Sequence, residues 1–412
     1  MNLRITYRLS AMVLAVAFLM TSCAKEEAGM EEKEAQQMAP TYSQAIPGQY
    51  IVVYRDKGTG KAQDYLSNQK AVMNKTQQVL AANKIATAEI LQVYSSALSG
   101  AAVKLSASDV AKLRADKQIA FIEQDQIVAL APPCGSPNGG PCDPGDGDDG
   151  GGSGDTGSQE TPYGITRVNG VASYTGSNVA WVLDTGIDLD HPDLNVDASR
   201  GFNAVNSGKD TSLDDNNGHG SHVAGTIAAI NNDFGVIGVA PGATVVPVKV
   251  LNHRGSGSYS GIIAGVDHVA ANGSSGDVAN LSLGGPASQA LDDAVKAAAS
   301  RGIKFALAAG NESQDANNVS PARANGNNIY TISAVDSNDD WAYFSNFGNP
   351  PVDYAAPGVS VLSTYKNGGY GSISGTSMAS PHAAGVLLLG NASTSGTANG
   401  DPDGNADPII TH

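Results

Sequence analysis

Hydrophobic and polar positions divide the chain into segments of different character. Arg4 and Arg8 precede an apolar run over residues 9–20, the length of a signal-peptide core and short for a membrane span; residues 1–22 read as an export signal. Residues 23–45 are charged, Gln-rich and poor in large apolar side chains, the composition of a flexible tether. Over residues 46–130 the pattern becomes that of a folded unit. QYIVVY at 49–54 is a strong β-run, Val72, Val79 and Leu80 recur at helical spacing, and β-like runs follow at 90–94 and 101–105. Ser108 is placed to cap a short helix over 109–115, and 119–128 returns to strand. A β-α-β-β-α-β order predicts a small α+β domain of about eighty residues, ferredoxin-like in outline.

Residues 131–160 are nearly all Pro, Gly, Asp, Ser and Thr and cannot bury enough apolar surface to offset the entropy of ordering, so they read as a linker open to cleavage. Residues 161–412 form the second domain. Apolar runs at 179–183, 245–251, 278–283 and 304–309 alternate with helical stretches at 219–230, 260–271 and 291–301. Uninterrupted apolar strands separated by helices predict an α/β fold, a mostly parallel sheet covered by helices on both faces. In such sheets sites form beyond the carboxyl ends of the strands.

Charge narrows the partners. With 24 Lys and Arg against 40 Asp and Glu, the net charge of -16 argues against nucleic acid or an anionic membrane surface. The acidity fits either simple solubility or structural calcium. Cys23 closes the run Met-Thr-Ser-Cys after the apolar core. This resembles the lipobox of bacterial lipoproteins, with Met20 in place of the preferred Leu, and implies lipid attachment at Cys23 and a place at the outer membrane or cell surface. An ordinary signal peptide with a chance cysteine is the alternative. Cys134 and Cys142 lie close together, where a local disulfide suits an exported protein; a zinc site would need two further ligands that the segment does not offer.

Three short segments carry chemistry. An apolar strand ends on Asp184, followed by Thr185 and Gly186, so burial of the strand would fix a carboxylate at its tip. In GHGSHVAGT, His219 stands where a Gly-rich turn enters a helix of small residues; a zinc pair with His222 is the competing reading. In GTSMASPH, Ser377 sits at a helix start, near backbone N–H groups that can stabilise an oxyanion, though a serine there can equally be a cap. A serine nucleophile needs a base, and the base a carboxylate to fix its tautomer.

Taken together, VLDTGID, NGHGSHVAGT, AAGNES and GTSMASPHAAGV resemble the signature blocks of the subtilase family in its Asp, His, Asn, Ser order, separated by 35, 92 and 66 residues. The resemblance covers about residues 161–390, and the 46–130 unit resembles the inhibitory propeptide that accompanies such proteases. It implies a serine endopeptidase acting on proteins or peptides, needing no catalytic cofactor, self-inhibited as a precursor and monomeric. Ser377 would be the nucleophile, His219 the base and then acid, Asp184 the group that orients His219, and Asn311 the oxyanion-hole amide. Ser256, Gly257 and Ser258 with Ser282, Leu283 and Gly284 resemble the two edges that hold an extended substrate. Ala308 and Ala309 with Gly284 would line the first specificity pocket, which suggests apolar side chains. Asp353 matches a structural calcium ligand of proteinase K-like members. Asp401, Asp403, Asn405 and Asp407 alternate like a calcium loop without its closing Glu. His191 reads as a turn residue, and His253 and His268 have no partner in any motif. Two rivals remain: a surface-anchored binding protein that keeps the fold without cutting, and an esterase, which would favour a Gly-x-Ser-x-Gly context that Ser377 lacks.

Overall fold

The computed structural model describes residues 44–56, 64–130, 157–205, 207–390 and 392–412. The export signal, the tether, Cys23, Cys134, Cys142 and most of the linker lie outside the described residues. No helix among the described residues is long and apolar enough to cross a membrane.

The first folded unit has the expected element order: β1 (Gln44–Tyr54), α1 (Tyr65–Ala82), β2 (Glu89–Tyr94), β3 (Gly100–Lys104), α2 (Ala107–Arg114) and β4 (Ile119–Ala129). Its antiparallel sheet runs β2-β3-β1-β4, a ferredoxin-like arrangement. The helix cap differs from the sequence reading. Ser106, two residues ahead of the expected site, accepts the Asp109 N–H at 3.2 Å, so α2 begins at Ala107 and Ser108 lies inside it. Successive side chains of β1 point to opposite faces. Val52 and Tyr54 join a core with Val79, Leu80, Val110 and Leu113 of the unit's own helices. Ile51 and Val53 face the other way and join the core of the larger domain.

That larger domain is built on a parallel sheet. In chain order its principal strands are β5 (Ala180–Asp184), β6 (Thr244–Lys249), β8 (Val278–Leu281), β9 (Lys304–Ala308), β10 (Ile329–Val335) and β11 (Val352–Pro357), with the short β7 (Ser256–Ser258) outside the sheet. The spatial order β11-β10-β9-β8-β5-β6 is parallel throughout. A closing hairpin, β12 (Ser393–Thr397) and β13 (Pro408–Thr411), extends the sheet beside β11. Every residue of β5 is buried, as expected of a strand covered on both faces. On one face lie α3 (His219–Ala228) and α6 (Thr376–Leu389), whose Val223, Ile227, Ala379 and Ala383 pack on Val182 and Ala306. On the other lie α4 (Tyr259–Asn272) and α5 (Gln289–Ala299), whose Ile262, Val266, Leu291 and Val295 pack on Trp181 and Phe305.

The ferredoxin-like sheet docks on α4 and α5, and carboxylates organise the contact. Glu123 and Asp125, two apart and therefore on one face of β4, accept the Ala290 N–H of α5 and the Ser260 N–H of α4, each at 3.1 Å. Each negative charge sits on a helix N-terminus, where unpaired N–H groups and the helix dipole favour it. From the opposite side Asp267 of α4, fully buried, accepts the N–H groups of Ser95, Ser96 and Ala97 at 2.7–3.1 Å. Arg301 returns a hydrogen bond to the Ser96 carbonyl at 2.6 Å.

Asp267→Ala would leave three buried N–H groups without an acceptor. Thermal unfolding of the full-length chain should show a loss of about 2–4 kcal/mol, since each orphaned donor costs roughly 1–3 kcal/mol and water recovers part of it.

Candidate active site

Asp184 is the last residue of β5 and wholly buried. Its Oδ1 accepts the Thr185 N–H at 2.7 Å, and both oxygens face the His219 Nδ1 at 2.8 and 2.9 Å. His219 reaches this position because α3 starts close against the strand tip. Gly218, at φ +115°, turns the chain into the helix. A Cβ on Gly220 would collide with the Gly186 carbonyl oxygen and press on Asp184 Cβ, so only glycine lets the helix approach this far. The helix start is then fixed by Asp215. One of its oxygens accepts the N–H groups of Asn217 and Gly218, both at 2.9 Å, and the other accepts the Ser221 N–H at 2.9 Å and its hydroxyl at 2.7 Å. Thr185 ties the two elements together, donating to Asp215 at 2.9 Å and accepting the Gly220 N–H at 3.0 Å.

Burial alone would lower the His219 imidazole. The Asp184 carboxylate, through its charge and hydrogen bond, with Asp215 behind it, outweighs burial and holds His219 above the ordinary histidine range. His222, three residues on, is a different case. Its Nε2 lies 2.8 and 3.1 Å from the Val361 and Gly371 carbonyls, and burial pushes it down to about 3. It is a neutral packing residue, and the zinc pair with His219 falls away. Among the described residues no group of three or more His, Cys, Asp or Glu side chains could hold a metal ion.

Ser377 is the second residue of α6 and nine-tenths buried. A proline inside that helix shapes its surroundings. Pro381 has no N–H to give the carbonyl four residues back, which is that of Ser377. The Ser282 hydroxyl takes this freed carbonyl at 2.7 Å, and the Ser377 hydroxyl donates in return to the Ser282 carbonyl at 3.1 Å. Asn280 supports the pair: its Nδ2 donates to Ser282 Oγ at 2.9 Å and its Oδ1 accepts from Ser380 at 2.8 Å. No hydrogen bond joins Ser377 to His219 in this structure, because the hydroxyl is turned to Ser282. Rotation about the Ser377 Cα–Cβ bond is the motion available to redirect it, and such bonds tighten in a substrate complex.

Asn311 follows β9 and Gly310. Its Oδ1 accepts both the Thr376 N–H and the Thr376 hydroxyl at 2.9 Å, and Thr376 Oγ1 in turn accepts the Gly310 N–H at 3.1 Å. With the oxygen so held, the Asn311 NH2 is the free end of the amide. The Ser377 N–H, in the first turn of α6, has no intrahelical partner either. Together these are two N–H donors beside a serine hydroxyl, which is what an oxyanion needs.

Of the two expected edges, the one at Ser256–Ser258 is paired with a strand. β7 (Ser256–Ser258) pairs antiparallel with β4: Ile127 lies opposite Ser258, Val128 opposite Gly257 and Ala129 opposite Ser256, and the Leu130 N–H donates to the Gly255 carbonyl at 2.9 Å. Across the strand, Val128 Cγ2 stands against Gly285. Leu283 is buried in the main core, and an added Cβ on Gly284 would press on Val319. Ala308 is almost wholly buried, and Ala309 packs in a small cluster with Ala316, Val319, Ala322 and Val352.

Sequence reasoning did not pick out Thr185, Asp215, Asn280, Thr376 or Ser380. Only Asp215 gave a signal, as a capping-type residue shortly before a helix. His191 is buried, with Nε2 3.0 Å from the Gly369 carbonyl, as a structural residue should be. His253, given no partner above, has one: its Nδ1 lies 2.9 Å from Asp210 Oδ2. His268 stacks on Phe202.

Comparison with known proteins gives the family of both domains. The family model described as the Subtilase family matches residues 176–395, and that of Peptidase inhibitor I9 matches residues 49–131. The chain is 39% identical over 357 residues to alkaline serine exoprotease A of Vibrio alginolyticus, covering 84% of this chain and 60% of the relative's length. It is 40% identical over 301 residues to subtilisin NAT of Bacillus subtilis subsp. natto, covering 71% and 70% respectively. It is 44% identical over 294 residues to M-protease of Shouchella clausii, covering 70% and 67%. A crystal structure of a cold adapted subtilisin-like serine proteinase superposes with a TM-score of 0.51 at 38% identity, over 60% of this chain and 96% of that one. The chain belongs to the subtilase family of serine peptidases and carries an inhibitor I9 propeptide domain ahead of its peptidase domain.

Proposed function

We infer that the protein is an exported endopeptidase in which Ser377, His219, Asp184 and Asn311 carry out acyl transfer, made as a precursor that its own first domain inhibits. The observation that carries the reading is the pairing of β4 with β7, with Leu130 on Gly255. An extended peptide added to an exposed edge is how a substrate backbone would bind, and here the chain's own strand occupies that edge.

In the reaction, Ser377 Oγ leaves the Ser282 carbonyl and attacks the substrate carbonyl carbon while its proton passes to His219 Nε2. Asp184 holds the Nδ1–H and stabilises the imidazolium that forms. The carbonyl oxygen, now an anion, accepts from the Asn311 NH2 and the Ser377 N–H. Collapse expels the amine, which takes its proton from His219 and leaves an acyl-enzyme. Water, deprotonated by His219, releases the acid and restores Ser377. The groove edges offer backbone groups and small side chains, which supports broad use of peptide substrates.

Maturation by cleavage at the end of β4 or within the linker follows from the same placement, and export with lipid attachment at Cys23 follows from the N-terminal pattern. For calcium, the two candidate places differ. Asp353 is half-buried and, among the described residues, accepts only the Thr331 N–H at 2.9 Å, and burial pushes its carboxyl up to about 6; a cation there would need carbonyl oxygens for its other ligands. In the 401–407 loop the carboxylates already accept N–H groups of Asp403, Asn405 and Asp407, and Asp407 also holds Ser333 and Asn349 at 2.5 and 2.7 Å. Donors aimed at every carboxylate do not fit a cation.

Five outcomes test the reading. Intact-mass analysis should find Ser377→Ala uncut where wild type is processed, and equal processing in both would rule out self-cleavage. Fluorophosphonate should label mature wild type at Ser377; an unlabelled serine would turn the reading to a non-cutting binding protein. Asn311→Leu should lower kcat with little change in KM, by the roughly 10²–10³-fold found for the corresponding asparagine of subtilisin itself. A base works only when neutral, and His219 is raised, so kcat/KM should fall on the acid side through a value above the ordinary histidine pKa of about 6.5. Asp184→Asn should lower kcat about 10⁴-fold, the known cost of the wrong tautomer in such triads, and shift the His219 titration, followed by NMR, to lower pH.

A further inference from the structure

The edge that receives β4 begins at a tight turn. Asn252 accepts the Gly255 N–H on its carbonyl at 2.8 Å and donates its own N–H to Ser256 at 2.8 Å, and its side-chain oxygen accepts the N–H groups of Arg254 and Ser256 at 2.8 and 3.1 Å. Such a turn is fixed within itself but needs an anchor to the body of the domain. The anchor is Asp210, whose carboxylate is almost wholly buried. Its Oδ1 accepts the His253 N–H at 2.9 Å and its Oδ2 faces His253 Nδ1 at 2.9 Å. This two-point grip fixes both the backbone and the ring of His253, two residues before Gly255. Asn217, which accepts the His219 N–H at 3.2 Å, donates its Nδ2 to the His253 carbonyl at 3.2 Å.

The same carboxylate reaches the catalytic side. Lys249, at the end of β6 and directly opposite Asp184 in the sheet register, is wholly buried. Its Nζ lies 3.3 Å from Asp210 Oδ1, donates to the Asp214 carbonyl at 3.1 Å and donates to the Thr185 carbonyl. Asp210 therefore neutralises a buried ammonium that holds the loop next to Asp184, and with its remaining capacity holds the turn that starts the substrate edge.

We propose that Asp210 and His253 are positioning residues that set the substrate edge against the catalytic centre, so that substrates long enough to pair with residues 255–257 gain affinity through them. This rests on the reading of that edge as the place where substrate backbone binds. The hydrogen bonds of His253 go to Asp210 and Asn217, and it acts on the edge through Gly255. Its Nδ1–H donates to Asp210 in the singly protonated ring of that tautomer and in the imidazolium alike, so the clamp does not depend on the charge of His253.

His253 is the better handle, because removing Asp210 would also strand the Lys249 charge inside the protein. The test compares KM for a one-residue and a four-residue acyl-peptide nitroanilide sharing the same residue at the cleaved bond, in wild type, His253→Ala and His253→Asn, all matured from full-length precursors. Wild type should favour the longer substrate in KM. His253→Ala should reduce that advantage about 3–10-fold, the scale of losing one hydrogen bond at a partly exposed site. His253→Asn, whose Nδ2 can replace the ring donor, should restore it. If wild type showed no length advantage, the reading of the edge itself would fail. If wild type showed one and His253→Ala kept it, or lost activity equally on both substrates, the edge would stand and the clamp would be overturned. Failure of His253→Asn to recover the advantage would likewise sink the hydrogen-bond account.

Discussion

Helix α3 comes so near the end of strand β5 that residue 220 has room for a hydrogen and nothing larger. That single close approach sets the Asp184 to His219 distance, since the histidine is the first residue of the helix and the aspartate the last of the strand. It also removes Asp184 from water entirely. A buried carboxylate without partners is costly, and here the cost is met by the Thr185 N–H and the imidazole, so the triad geometry and the burial of the sheet core sustain each other. Asp215 and Thr185 then lock the helix start, and the field of two carboxylates keeps the imidazole basic in spite of its burial.

The ferredoxin-like domain makes use of the same helix-end physics elsewhere. Its strand β4 supplies carboxylates to the N-termini of α4 and α5 and then runs on into the groove beside β7. One strand thus both caps two helices of the peptidase domain and occupies its edge at β7. A domain that caps helix ends while it covers this edge is suited to act as an intramolecular inhibitor. The helices also have caps of their own, Ser258 for α4 and Ser288 for α5.

How far all this can be read from sequence depends on what carries each feature. The order of elements in both domains follows from periodicity, and Asp184, His219, Asn311 and Ser377 each sit in a contiguous block whose neighbours betray them: a Gly-rich entry, an apolar strand, a run of small residues. Asn280, Ser380 and Thr376 act across the fold, through hydrogen bonds to residues 65 to 100 positions away, and such pairings leave no local pattern. The Ser106 cap was missed because two serines two residues apart offer the same chemistry, and only the helix phase decides between them. His253 looked unpartnered for a related reason: Asp210, 43 positions back, stands in a loop without periodicity.

Pro381 shows why such long-range contacts are not decoration. Read locally, a proline in a helix that also holds the reactive serine is a defect, since it forfeits a backbone hydrogen bond. Within the fold, the forfeited acceptor is the carbonyl of Ser377, and Ser282 claims it while receiving the Ser377 hydroxyl in exchange. Two bonds thereby join the serine to a segment of the groove wall instead of to its own helix. The serine is then fixed relative to the Ser282 edge and not merely relative to the helix axis, and that edge is where β4, the occupant seen here, presses Val128 against Gly285. A local loss in one helix becomes the registration of Ser377 against the wall of the groove that β4 occupies.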